Sequence, residues 1–307
     1  MIDKPIVSIC IPTYGRVEIL KNTLDTIFSQ CVENEKFEVC ISDNSPTDET
    51  EQMLKMYYSD KTNLVYNKST CEGFLNSIEA LKLGKGKFLK LHNNYTKFRE
   101  GCLLKFINFV SEYDDEKTTL FFTFGSINQD SDYVSYDSFD TFMYSISYFS
   151  TWSTSFGIMS KDFQNICSKD FKFDKMFPHT SLLFAMDSNK KFVVNNINYF
   201  NNQDVGQKGG YNLPQTFGTR YIGMCKDLLL ENKISEKTYD SIKQGILTFI
   251  ADWYLNVIFF PNKYKFSFDN WKDIIFNLYG SDGEKYIKRN FKKKRINYFV
   301  RKLLKKY

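Results

Sequence analysis

Residues 92–98 of the chain read HNNYTKF and follow a short apolar run, KFLKL (87–91). Two side-chain amides, Asn93 and Asn94, and one imidazole, His92, therefore stand where a buried strand would end. Amide oxygens can ligate a divalent cation, and the imidazole nitrogen suits Mn²⁺ better than Mg²⁺, but hard cations prefer charged oxygens. No carboxylate follows before Glu100, so a divalent ion would be held weakly by this stretch. Two other polar clusters have the same placing: PTYGR (12–16) ends the run PIVSICI, and SDNSPTD (42–48) ends FEVCIS. Asp43 opens Asp-Asn-Ser-Pro, which is good turn and helix-cap chemistry. The chain's other histidine, His179, lies in FPHTSLLF (177–184). An imidazole with a near-neutral pKa is a competent proton acceptor, and one that follows a proline can equally open a helix. Lys208, Gly209, Gly210 and Tyr211 belong to a glycine-rich stretch, 201–214, which reads as a mobile cover whose glycines allow close backbone approach.

Positioning these groups requires strands that alternate with helices. Apolar runs at 5–11, 37–42, 63–67 and 87–91 read as four strands. Between them Val17, Leu20, Leu24, Ile27 and Phe28 recur at helical spacing, as do Met53 with Leu54, and Phe74, Leu75, Ile78 and Leu81. Such alternation predicts an α/β fold with a mostly parallel sheet flanked by helices, in which ligands bind outside the carboxyl ends of the strands. The run 118–125 is expected to continue the sheet, with further strands at 156–159 and 191–199 and helical patterns from Pro214 onward. A soft boundary falls near residue 212, giving a domain over 1–212 and a helical carboxy-terminal region over 213–307.

Apolar content of 42% and charged content of 25% over 307 residues are those of a globular protein with a substantial core. The most apolar stretch, 246–260, is too short to span a bilayer and contains Asp252. Seven scattered cysteines without a CxxC pair, and no leader at the first residues, fit a reducing cytoplasm. The net charge of +5 is concentrated at one end: residues 285–307 hold eleven Lys or Arg and no acid, leaving −6 on the rest. With Tyr286, Ile287, Phe291, Ile296, Phe299, Val300, Leu303 and Leu304 interleaved, this tail reads as a basic amphipathic helix suited to an anionic membrane surface. Nothing else in the chain supports nucleic-acid binding.

The series VSICIPTYGR, LDTIFSQ and FEVCISDNSPTDET, spanning 7–50, resembles the amino-terminal signature of the family-2 glycosyltransferases, which have the GT-A, Rossmann-like fold. Within that family the chain looks most like the abequosyltransferase-like group of capsule and O-antigen transferases; FPHTSLLF and KGGYN look like its late motifs. The resemblance implies that Pro12, Thr13, Tyr14 and Arg16 border the nucleotide of a UDP- or dTDP-sugar donor, with Tyr14 stacking on the base and Asp43 holding its imide. It also implies that Asn93 stands at the nucleotide and, with Asn94, replaces the carboxylates that normally carry Mg²⁺ or Mn²⁺.

Weak or absent metal dependence is therefore expected, with Lys208, Lys97 or Arg99 offsetting the leaving group's charge. Where the family carries an acidic base motif, this chain has His179, with Asp187 and Asp174 as substitutes. The function so implied is inverting transfer of a sugar to a surface glycan or polyprenyl-linked oligosaccharide, at the inner face of a cell membrane. A non-catalytic sugar-nucleotide-binding scaffold of a polysaccharide assembly complex is the alternative, supported by the missing carboxylates.

Overall fold

The computed structural model describes residues 4–113 and 117–304, with side chains through residue 296. The chain forms two compact units, one ending at Asp204 and one starting at Val205, a division that falls ahead of residue 212.

In chain order the first unit opens with β1 (Val7–Thr13), α1 (Val17–Phe28), β2 (Phe37–Asp43), α2 (Glu49–Tyr57), β3 (Leu64–Lys68) and α3 (Asn76–Leu83). It continues with β4 (Phe88–Leu91), β5 (Thr96–Phe98), α4 (Cys102–Ser111), β6 (Thr118–Phe122), β7 (Tyr133–Tyr136) and α5 (Phe139–Ile146). After two short 3₁₀ turns come β8 (Gly157–Met159), α6 (Ser160–Cys167), α7 (Pro178–Phe184), β9 (Lys191–Asn195) and β10 (Phe200–Asn202).

The main sheet has the order β3-β2-β1-β4-β8, parallel except for β8. β1 and β2 are buried along nearly their whole length, as strands covered on both faces must be. Val7, Ile9, Ile11, Val39 and Ile41 pack in one core with Leu20, Leu24 and Ile27 of α1 and Leu103, Phe106, Ile107 and Val110 of α4. α3, with Ile78, Ala80 and Leu81 buried, also packs on β1 and β2. At the amino ends of the strands, Ser8 Oγ donates to Glu38 at 2.6 Å and accepts from Gly86 N at 2.8 Å. A Cβ at Gly86 would lie 2.8 Å from Ser8 N, so only glycine fits there.

The run 118–125 does not extend this sheet. β6 pairs in parallel with β9, which pairs antiparallel with β7, and a single Phe121–Phe156 bridge links this group to the residue before β8. The apolar run marks a buried strand without naming its partner, and here the partner lies far along the chain. Phe142 stacks on Phe192 at 4.8 Å and Phe121 meets Phe142 edge-on at 5.7 Å, giving the three-stranded sheet an aromatic core of its own.

The second unit comprises β11 (Lys208–Asn212), a π-helix (Pro214–Tyr221), α8 (Ile222–Leu230), α9 (Glu236–Phe259), β12 (Tyr264–Ser267) and α10 (Trp271–Leu304), broken at Gly280. β12 interrupts what reads in sequence as continuous helix. α10 packs along α9: Ile275 and Ile287 are buried, Tyr279 Oη donates to Lys243 O at 2.8 Å, and Asn290 Nδ2 donates to Asp252 at 3.0 Å. Phe291 stacks on Phe259 at 6.0 Å, and Tyr286 Oη lies 3.0 Å from Thr248 Oγ1. The apolar side of residues 285–291 is thus taken up by the fold and is not open to a membrane. Ile296 is exposed, while the side chains of Phe299, Val300, Leu303 and Leu304 lie outside the described residues. Among the described residues no helix is long and apolar enough to cross a membrane.

Candidate active site

The carboxyl ends of β1, β2 and β4 converge because their registers align. Thr13 is level with Asp43 and Cys10 with Leu91, which carries the turn after β4 up to Thr13. Asn94 Nδ2 donates to Thr13 Oγ1 at 2.9 Å, and its backbone carbonyl accepts from Thr23 Oγ1 of α1 at 2.8 Å. Asn76, buried at the start of α3, ties the first two strand ends. Its Nδ2 donates to Ser42 O at 2.8 Å and Thr13 O at 3.3 Å, and its Oδ1 accepts from Ser42 Oγ at 2.7 Å. Asn76 opens a helix whose other signals are apolar, so nothing in the sequence marks it.

Asp43 is wholly enclosed. Oδ1 accepts from Ser45 N at 2.9 Å and from Ser45 Oγ, which in turn accepts from Gly15 N at 2.6 Å. Oδ2 has longer contacts, 3.3 Å to Tyr66 Oη and 3.6 Å to Lys68 Nζ. Burial, helped by the Asp43 charge, raises the Tyr66 phenol and keeps it a donor. Asp43 therefore makes the Asx turn that its sequence also allows, and clamps the loop after β1 to the loop after β2.

Beside it Pro12 is half-buried and Tyr14 is 64% exposed, so the phenol ring is available for stacking. Gly15 and Arg16 both have left-handed backbone (φ 61° and 59°), which turns the chain sharply into α1 and leaves Arg16 exposed at the helix start. Burial raises the Tyr95 hydroxyl, and the positive charge of Arg16 pulls it partly back.

His92, a possible ligand by sequence, is sealed inside the fold and does not lie open at the strand end. It is fully buried, its Nε2 donates to Thr96 O at 2.6 Å, and its ring stacks on Phe98 at 5.3 Å and meets Phe200 edge-on at 5.2 Å. Burial, then the nearby Lys90 charge, pulls its pKa down to about 3, so the imidazole is neutral. Asn93, half-buried, is held at both ends of its amide: Oδ1 accepts from Ser153 Oγ at 2.6 Å and Nδ2 donates to Tyr95 Oη at 3.0 Å. Among the described residues no group of three or more His, Cys, Asp or Glu could hold a metal ion.

Lys97 and Arg99 lie on or just after β5, which pairs with β10; Arg99 donates to Asn198 O at 3.3 Å. Lys97 lends positive charge to Asp25 on α1.

His179 opens α7 after Pro178 and is 6% exposed. Its Nε2 donates to Thr151 O at 3.0 Å, which leaves Nδ1 as the basic nitrogen; burial lowers the pKa to about 4. Asp174 accepts from the backbone N–H groups of Met176 and Phe177 at 2.8 and 2.9 Å, bracing the entry to α7. Asp187, after α7, is exposed and closes a small turn on Asn189 N at 2.9 Å.

Lys208–Tyr211 are not an open loop. They form β11, parallel to β12, and a Cβ on Gly209 would come within 2.6 Å of Phe266 N. The glycine permits close strand pairing, and Tyr211 meets Phe266 edge-on at 5.0 Å.

A mostly parallel, helix-covered sheet with its polar groups gathered at the carboxyl edge is the architecture of the GT-A glycosyltransferases. The fold resembles that of S. aureus TarS, solved with UDP-GlcNAc, at a TM-score of 0.54 and 18% identity over 78% of this chain and 71% of that one. Residues 8–155 match the glycosyl transferase family 2 domain. Abequosyltransferase RfbV of Salmonella typhimurium is 46% identical over 52 residues, 17% of this chain and 16% of that protein. Validoxylamine A glucosyltransferase of Streptomyces hygroscopicus is 39% identical over 62 residues, 20% and 14% of the two chains. The chain thus spans about one sixth of the length of the curated relatives it matches.

Proposed function

We propose that the chain is an inverting glycosyltransferase that takes its sugar from a UDP or dTDP donor and delivers it to a surface glycan or lipid-linked oligosaccharide. The observation that carries this reading is the convergence of Thr13, Asp43 and Asn94 at one sheet edge beside an open Tyr14, all inside the family match. In this reading Pro12 and Thr13 border the pyrimidine and Tyr14 stacks on it. The imide N–H goes to Asp43 Oδ2, the oxygen with the longer contacts, as Tyr66 or Lys68 gives way. His179 Nδ1 takes the proton from the acceptor hydroxyl. The hydroxyl oxygen bonds to the anomeric carbon as that carbon's bond to the diphosphate breaks, and the nucleoside diphosphate leaves.

The residues present do not fit a divalent cation. Asn93 Oδ1 is engaged by Ser153, His92 is closed within aromatic rings, and among the described residues no group of three His, Cys, Asp or Glu stands together. We assign charge compensation instead to Arg16 at the start of α1, where the helix dipole adds to it. Incubation with UDP- and dTDP-sugars should release nucleoside diphosphate at a rate unchanged by EDTA. Complete loss with EDTA and rescue by Mn²⁺ would refute metal independence. Donor binding without any release would favour the non-catalytic scaffold, the reading that the engaged amides support.

Toward a membrane, the described part of α10 offers charge. Lys285, Lys288, Arg289, Lys292, Lys293 and Arg295 are exposed on α10. Adsorption to an anionic leaflet would then gain about 1 kcal/mol per basic residue near the surface. Binding to phosphatidylglycerol vesicles should fade as salt is raised; salt-insensitive binding would contradict it.

A further inference from the structure

The segment Ser150–Ser155 joins the two halves of the candidate site. Ser153 Oγ donates to Asn93 Oδ1 at 2.6 Å, on the side of the turn after β4. On the other side Thr151 O accepts from His179 at 3.0 Å and Ser150 O accepts from Thr180 Oγ1 at 3.0 Å. From beneath, the fully buried Lys90 of β4 donates to Thr154 O. Every residue named in this strap is buried or half-buried except one. Trp152, midway between the residues bonded to Asn93 and to His179, is 36% exposed. Its backbone is pinned in both directions, by Trp152 N to Phe149 O at 2.8 Å and Ser155 N to Trp152 O at 3.0 Å. Phe149 stands against the indole at 4.5 Å and near a right angle, and Tyr148 stacks flat on Phe149 at 4.9 Å.

An indole partly open to solvent and fixed by its neighbours offers a ring on which a ligand can lie. A pyranose has an apolar C–H face and a hydroxyl rim, so it can lie on an aromatic ring while its rim bonds to nearby polar groups. A ring already fixed by its neighbours loses little rotamer freedom when the sugar arrives. The strap carries Trp152 next to the residue that binds the proposed base, and the base must meet the acceptor hydroxyl.

We propose that Trp152 is the platform on which the acceptor's sugar ring stacks, and so a specificity-determining residue for the glycan that receives the transfer. This rests on the glycosyltransferase reading and deepens it. Asn93, Ser153 and Lys90 act as positioning residues that keep the indole at its station. The platform selects for an exposed apolar sugar face and against acceptors that present hydroxyls on both faces.

The test uses the full chain, its Trp152→Ala and Trp152→Phe variants, UDP- and dTDP-sugars as donors, and a panel of methyl hexosides as acceptors. Donor hydrolysis by water reads the donor and the base without an acceptor sugar. Trp152→Ala should leave that hydrolysis within about twofold while raising the KM for the preferred methyl hexoside by about tenfold or more. Trp152→Phe should recover most of that loss, which a merely structural role would not produce. The sequence has three tryptophans, so quenching of intrinsic emission by the same hexosides, present in the wild type and absent from Trp152→Phe, reports stacking directly. Wild-type acceptor KM in Trp152→Ala, equal losses of hydrolysis and transfer, or no hexoside-dependent quenching would each overturn the platform. A wild-type chain that neither binds nor hydrolyses any donor would instead overturn the glycosyltransferase reading itself.

Discussion

His179→Gln should lower the rate of sugar transfer by about 10²- to 10⁴-fold, the range a positioned general base contributes. Glutamine keeps a side-chain N–H that can still donate to Thr151 O, so the strap it holds stays in place. It has no basic nitrogen, so the acceptor hydroxyl loses its proton acceptor. Donor affinity should remain within about twofold, because the proposed nucleotide contacts come from the strand ends and not from α7. The pH profile adds a second reading. With the imidazole held at about 4 by burial, the base is already neutral at physiological pH. Its own titration should dim activity only as the pH falls toward that value. Near-wild-type turnover in His179→Gln would show that another group takes the proton.

Mild acid should destabilise the fold through two buried imidazoles. His92 titrates at about 3 and His179 at about 4 in the folded chain, against about 6.5 when unfolded. Below about pH 6.5 the unfolded chain binds protons that the native one refuses, so folding stability drops as the pH drops. The stabilisation is complete above the unfolded value and is lost as pH falls toward the folded ones. Each histidine contributes a slope of about 1.4 kcal/mol per pH unit within its window. Between about pH 6 and pH 4 the two together remove on the order of 5 kcal/mol, a large part of an ordinary domain's stability. Denaturant titrations of His92→Leu should give a slope of stability against pH that is shallower by about 1.4 kcal/mol per unit. This variant will be weaker at neutral pH, because Thr96 O loses its donor. An unchanged slope would mean that His92 carries its proton in the native state.

Strands β1 to β4 and their helices were legible because each is a local apolar pattern with turn residues at its end. The gathering of PTYGR, SDNSPTD and the Asn pair at one edge follows from parallel order, and the structure has that order. Pairing over long distances was not legible. The run at 118–125 is a strand, yet its neighbour β9 comes about seventy residues later, and no local signal distinguishes that partner from β4. KGGYN looked like a loop because glycines usually mark one; its partner β12, YKFS, is four residues long in a helical tract. His92 is a possible ligand by sequence because imidazoles beside amides suggest chemistry. The opposing clue was Phe98 six residues later, but its companion Phe200 is far away in sequence. Ser153 and Trp152 carry no motif at all. Their significance comes only from the bonds that bring Asn93, Lys90 and α7 to one strap.

Lys68 closes β3, the border strand of the main sheet, and leans inward over Asp43 and Asp48, the latter at 3.3 Å. Its outer backbone groups would otherwise be a template for a second chain to add a strand. A charged side chain at that margin deters such addition while steadying the acid behind it. On the proposed reading, an exchange of Lys68 made to retune the nucleotide site would also alter the protein's tendency to self-associate.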